Sequence, residues 1–115
     1  MNTAEDFEKV SRLVEAWFAG DSEGAMYDAS TDEPEIAWCA ILEILKRELT
    51  DDQRALLAAG PMEDLLVRHG VAFIGRVEAE ANVNPRLNHL LGGVWRREMP
   101  TEIWERIKKT RKGIW

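Results

Sequence analysis

Apolar residues recur every three or four positions along most of this chain, which is the spacing of one face of an α-helix. The first such stretch has six apolar positions: Phe7, Val10, Leu13, Val14, Trp17 and Phe18. Thr3 and Asp6 precede them with the spacing of a capping box, in which side chains satisfy the first free amides of a helix. The pattern predicts an amphipathic first helix that ends at Gly20.

The most apolar stretch is Pro34–Leu49. Its apolar side chains nearly surround the helix axis: Ile36, Trp38, Ile41, Leu42, Ile44 and Leu45. Because a helix that is apolar on all sides is buried, we predict a central helix here, capped by Asp32 or Glu33. Trp38 and Leu42 lie one turn apart in it, and both are expected to be buried.

Three short helices separated by glycines are predicted within Thr50–Ala81. Thr50 and Gln53 have the spacing of a capping box. Gly60 can adopt the left-handed conformation that closes a helix, and Pro61 suits the first position of the next one. Gly70 is predicted to end the second helix. The pattern therefore predicts three helices in close succession.

In the remainder of the chain, the sequence pattern predicts two further helices, which begin near Pro85 and Thr101. Gly75 lies inside the helix before them, where glycine is costly relative to alanine, and we attribute it to close approach of a neighbouring helix. No strand-like alternation occurs in the sequence. We therefore predict an all-α fold, with residues 1–115 forming a single-domain irregular bundle of about six or seven helices, several of them short.

Residues 20–35 lack helical periodicity and are rich in glycine, serine and aspartate, which favour turns. They contain six carboxylates and no basic residue: Asp21, Glu23, Asp28, Asp32, Glu33 and Glu35. The composition predicts a surface loop. Because a dense carboxylate patch attracts a basic surface and accelerates association, these six residues are the predicted partner-binding site. A solvated loop without a partner is the alternative.

The net charge of −6 is distributed unevenly along the chain. Residues 1–53 hold fourteen acidic side chains against four basic ones, whereas the rest of the chain holds seven against eleven. This asymmetry predicts an acidic face and disfavours nonspecific binding of nucleic acid. The single cysteine cannot form an internal disulfide, which fits a reducing cytoplasm. No apolar run approaches the roughly 20 residues of a membrane span, so no membrane association is expected.

Motifs for chemistry are weak in this sequence, and none predicts a catalytic, metal or cofactor site. Gly20–Gly24 matches G-x-S-x-G, but that motif needs a strand before its serine, and here a helix is predicted. His69 and His89 lack the spacing of a zinc site. Glu63 and Asp64 stand at a helix start, where the dipole favours acids, and no partner for acid–base chemistry is apparent.

The run LLAAGPMEDLLVRHGVAFIGRVEAEA is followed by Leu90, Leu91, Trp95, Met99, Pro100 and Trp104. Together they resemble a family of small uncharacterised bacterial helical proteins with a leucine–alanine–glycine–proline–acidic core. The resemblance covers about the last two thirds of the chain, and it implies no activity.

Size, charge and this resemblance together favour a noncatalytic protein-binding domain. The form we expect is an immunity-type inhibitor that neutralises a basic bacterial toxin. A regulatory or scaffold subunit of a bacterial complex is the first alternative. A small enzyme with an unrecognised site is the second.

Overall fold

A computed structural model of the protein describes residues 3–21 and 24–115. Every regular element in these ranges is helical, as the sequence predicted. Seven α-helices follow one another: α1 (Ala4–Phe18), α2 (Ala25–Asp32), α3 (Pro34–Leu45), α4 (Asp51–Leu57), α5 (Glu63–Val83), α6 (Pro85–Leu91) and α7 (Thr101–Thr110). A π-helical turn, Ala58–Met62, joins α4 directly to α5.

Helix α3 lies at the centre and packs against α1, α2, α5 and α6. Trp38 is buried and meets Phe73 of α5 edge to face, with ring centroids 6.3 Å apart, and Ile41 is fully enclosed. Cys39 and Leu42 are only partly buried, so the prediction that Leu42 is buried is wrong. The helix also ends at Leu45, earlier than predicted. One edge of α3 therefore faces a surface groove instead of the core.

Helix α2 replaces the surface loop predicted over residues 20–35, and that prediction is wrong for Ala25–Asp32. Met26 and Ser30 are fully buried on the side of α2 that packs against α3 and α5. Asp21 stabilises the start of the helix, since its carboxylate accepts hydrogen bonds from the Gly24 and Ala25 amides. A segment with little helical pattern thus becomes helical because its few buried side chains find partners on other helices.

The two predicted interruptions of the α4–α5 region are present as a π-helical turn between the helices and a kink within α5. Pro61 has no N–H to donate to Leu57, so the backbone widens locally, and the Glu63 amide donates instead to the Ala58 carbonyl. Farther along, α5 continues through Gly70 with a kink at His69, whose φ is −131°. Breaks are therefore present within a few residues of Gly60 and Gly70, as predicted, but Gly60 lies in a π-helical turn and does not adopt the left-handed conformation expected of it.

The close approach predicted at Gly75 occurs at Gly70 instead. A Cβ added at Gly70 would stand 3.0 Å from Cγ2 of Ile103 in α7, whereas one added at Gly75 would have no neighbour within 4 Å. Ile103 is buried. The glycine in α5 that permits tight helix packing is thus Gly70.

Substituting alanine for each of these two glycines should change the stability of the protein by different amounts. Gly75→Ala should raise the free energy of unfolding by about 0.5–1 kcal/mol, because alanine is the better helix former and the site is open. The contact with Ile103 should cancel that gain in Gly70→Ala. Chemical denaturation of both variants checks the prediction, and equal stabilisation by both would contradict the packing described here.

Candidate functional site

The six carboxylates proposed for partner binding do not form one cluster. Asp21 caps α2, and Glu23 lies outside the described residues. Glu35 lies in the first turn of α3, where its carboxylate pairs with Arg76 of α5. The hydrogen bond from that guanidinium lowers the pKa of Glu35. Arg76, which is distant in sequence, therefore compensates the charge of Glu35, for which residues 20–35 contain no basic residue.

The three remaining carboxylates, Asp28, Asp32 and Glu33, are exposed together along α2 and just beyond it. They line a groove of about 490 Å³ between α1 and α2. Lys9 of α1 lies in this groove and pairs with Glu33 at 2.9 Å, and Arg12 lies beside it. The structure thus keeps half of the predicted acidic cluster on one surface, next to two basic residues of α1.

Phe7 provides an apolar contribution to the same side of the molecule. Its side chain is 63% exposed on α1, on the edge of this helix that faces α3 and not on the edge that faces α2. A second groove of about 370 Å³ begins there and runs between α1 and α3. Its lining residues are Phe7, Val10, Ser11, Val14, Glu15, Cys39, Glu43 and Arg47. Burial raises the pKa of the Cys39 thiol, which favours the protonated, poorly nucleophilic form.

The two grooves belong to one continuous surface across α1. A small depression between them contains Arg12, which also lines the α2 groove, and Phe7, which also lines the α3 groove. An exposed aromatic side chain with charged residues around it is the usual composition of a protein-binding surface. We call this surface, from Asp28 and Asp32 across α1 to Cys39, the α1 face.

A second arrangement that sequence reasoning missed surrounds Glu63, at the start of α5. This carboxylate is only 3% exposed. It accepts a hydrogen bond from the Trp95 amide at 3.0 Å, and the Arg97 guanidinium lies 3.8 Å away. Burial raises the pKa of Glu63. The sequence indicated no partner for Glu63 and Asp64, whereas Arg97 contacts both carboxylates.

These contacts hold the connection between α6 and α7 in a specific conformation. Arg97 has a φ of 48°, which is uncommon for a residue with a side chain. Arg96 donates to the Met99 carbonyl and to the Thr101 hydroxyl. Trp95 is 69% exposed between these contacts. The only signal in the sequence was a tryptophan beside two arginines, which does not reveal that a buried carboxylate fixes its backbone.

Residues 3–21 and 24–115 contain neither a candidate metal site nor a candidate membrane span. No group of three or more histidine, cysteine or carboxylate side chains there has a geometry that could hold a metal ion. None of the helices described has both the length and the apolar character needed to cross a membrane. His69, one of the two histidines considered, donates through Nε2 to the Thr31 carbonyl and so links α5 to α2.

Comparison with known proteins places the chain in a family without an assigned role. The model of a family of unknown function (DUF6869) matches residues 10–114, so the chain belongs to that family. No curated protein and no solved structure matches the chain at a significant level.

Proposed function

We propose that this member of the DUF6869 family is a noncatalytic protein-binding domain that recognises a basic partner through the α1 face. The observation that carries this proposal is the position of Phe7, which is well exposed on α1 and lines both the α3 groove and the depression that connects it to the α2 groove. A large aromatic side chain at the centre of a polar surface can anchor a complex. The surrounding carboxylates supply selectivity for a basic surface.

Charge favours the same type of partner. Residues 1–45, which include α1, α2 and α3, contain eleven acidic and two basic side chains. Such an excess attracts a positively charged protein before contact and increases the association rate. The apolar centre would then determine how long the complex persists.

The specific role we propose is that of an immunity-type inhibitor, a bacterial cytoplasmic protein that neutralises a basic toxin. A small acidic domain can block a basic active-site cleft by placing carboxylates where the substrate's phosphates would bind. The first alternative is a regulatory or scaffold subunit of a bacterial complex, which would bind through the same face to a partner that is not a toxin. The second is a small enzyme, for which a turnover screen with the purified protein is the direct test.

The double variant Asp28→Lys/Asp32→Lys should slow association with the partner at least about tenfold at low salt, since it reverses the charge of the α2 groove. Asp21 is unsuitable for this test because it caps α2. The measurement begins with capture and identification of the partner on the tagged wild-type protein. Association kinetics at two salt concentrations follow.

A matched control is Glu98→Lys/Glu102→Lys, which makes the same change in net charge at exposed positions before and within α7. It should retain most of the wild-type association rate. Equal slowing by both double variants would mean that only net charge matters and would remove the α1 face from the interface. Growth arrest by the partner alone, relieved by co-expression of this protein, distinguishes the inhibitor from the subunit.

A further inference from the structure

A cavity of about 330 Å³ lies where the connection from α3 to α4 meets the start of α6. Leu45, Leu49 and Pro85 form its apolar part. Its charged and polar part consists of Arg47, Glu48, Arg54, Arg86 and His89. Three arginines thus line one small concavity in a chain whose net charge is −6, although the Arg47 guanidinium is directed toward α1, where it lies 4.7 Å from the centroid of the Phe18 ring. Arg47 also lines the α3 groove of the α1 face, whereas Arg54 and Arg86 do not line either groove of that face.

The guanidinium groups of the other two arginines, Arg86 and Arg54, are held in place by backbone carbonyls. Arg86 donates through Nη1 to the carbonyls of Leu45 and Arg47, at 2.7 and 3.3 Å. Arg54 donates to the Leu49 carbonyl and to Asp51. Because a guanidinium carries five N–H groups in a fixed fork, both arginines keep further donors for a ligand. Holding the donors in place before binding lowers the entropic cost of binding.

The chemistry of this cavity matches a doubly charged oxyanion attached to an apolar body. Arginine forms bidentate hydrogen bonds with phosphate. Arg47 pairs with Glu15 and Arg54 with Asp51, and Glu48 also lines the cavity, so the contacts of the Arg86 guanidinium are with backbone carbonyls and leave its charge unpaired among these residues. A dianion gains more from the two guanidinium groups of Arg54 and Arg86 than a monoanion does. The side chains of Leu45 and Leu49 offer an apolar surface to the rest of the ligand.

We propose that this cavity is a binding site for a small phosphate monoester with an apolar body. His89 lies on its rim, where its ring stacks on that of Trp115 with centroids 5.3 Å apart. A bound phosphate therefore lies close to the imidazole. This gives the site a spectroscopic reporter, because the chain contains only one other histidine, His69.

The test is titration of the folded protein with phenyl phosphate at constant ionic strength, followed through the ring signals of both histidines by NMR. The His89 signals should shift and saturate. Those of His69, which is bonded to the Thr31 carbonyl at the end of α2, should not. Inorganic phosphate should bind more weakly, and benzyl alcohol should not saturate the site. No saturable shift of His89 with phenyl phosphate, or an equal shift of both histidines, would overturn the proposal.

Three variants should bind phenyl phosphate with different affinities, in an order that the proposed site predicts. Arg54→Gln should weaken phenyl phosphate binding about tenfold, the loss expected for one charge-assisted hydrogen bond. Glu48→Gln should strengthen it about threefold, because an opposing carboxylate is removed. Arg76→Gln is the control, since it removes the same charge at the other end of α3, beside Glu35. Identical affinities in all three would contradict the site, as would weaker binding by Glu48→Gln.

Discussion

Ile41→Ala should lower the free energy of unfolding by about 2–5 kcal/mol. Ile41 is fully enclosed in α3, the helix that contacts four others. Removing its outer carbons takes apolar surface out of the core and leaves a cavity that rigid neighbouring helices fill only in part. Chemical denaturation followed by far-ultraviolet circular dichroism measures the loss.

The neighbouring position provides the control for this experiment. Leu42 is only partly buried, so Leu42→Ala leaves less of a cavity and should cost clearly less than Ile41→Ala. The two substitutions remove side chains of equal size from the same helix, which leaves burial as the main difference. Equal losses would contradict the orientation of α3.

Glu63→Ala should lower the free energy of unfolding by about 1–3 kcal/mol, the cost of a buried donor without an acceptor. The donor is the Trp95 amide, which loses the carboxylate that it now contacts at 3.0 Å. Arg97 keeps its pairing with Asp64, so the guanidinium is not left alone. Hydrogen exchange should show faster exchange of the Trp95 amide in this variant.

Glu63→Gln separates the hydrogen bond from the charge. Its amide oxygen can still accept from Trp95, so it should be more stable than Glu63→Ala at neutral pH. Burial raises the pKa of Glu63, which means that the folded state binds this proton more tightly than the unfolded chain does. The stability of the wild type relative to Glu63→Gln should therefore rise as pH falls through the raised pKa, and level off below about 4.3, the unfolded value.

Other carboxylates have lowered pKa values and so change the stability in the opposite direction. Comparing the wild type with Glu63→Gln removes their effect. Guanidinium partners lower the pKa values of Glu35 and Glu78, so their stabilising contributions are lost at acidic pH. Both proteins contain these pairs. A wild-type stability that falls relative to Glu63→Gln on acidification would show that the carboxylate is not buried as described.

Features that depend on a few adjacent residues were predictable from the sequence. The Thr3 hydroxyl accepts from the Asp6 amide, and Thr50 and Gln53 form both halves of their capping box. The predicted starts at Pro85 and Thr101 are also correct, and α6 ends before the two glycines that follow it. Cap and donor in these motifs are separated by three residues or fewer, so the amino acids themselves specify the geometry.

Features that depend on distant residues were not predictable, and they include most of the candidate sites. Trp95 and Glu63 are 32 residues apart, and Arg86 lies 41 residues from the Leu45 carbonyl that it contacts. Gly92 and Gly93 follow the end of α6, and residues 111–115 return over them, so that the Trp115 ring leaves no room there for a Cβ.

The sequence by itself determined that the chain is helical, where most helices begin, and which positions are apolar. The tertiary structure decided that α2 is a helix, that Gly70 and not Gly75 packs closely on α7, and which carboxylates meet basic partners. Hydrophobic periodicity identifies the side of a helix that avoids water, but it does not identify what covers that side. Local caps fix helix ends within one turn, whereas the packing of one helix on another fixes the grooves and cavities where binding is proposed.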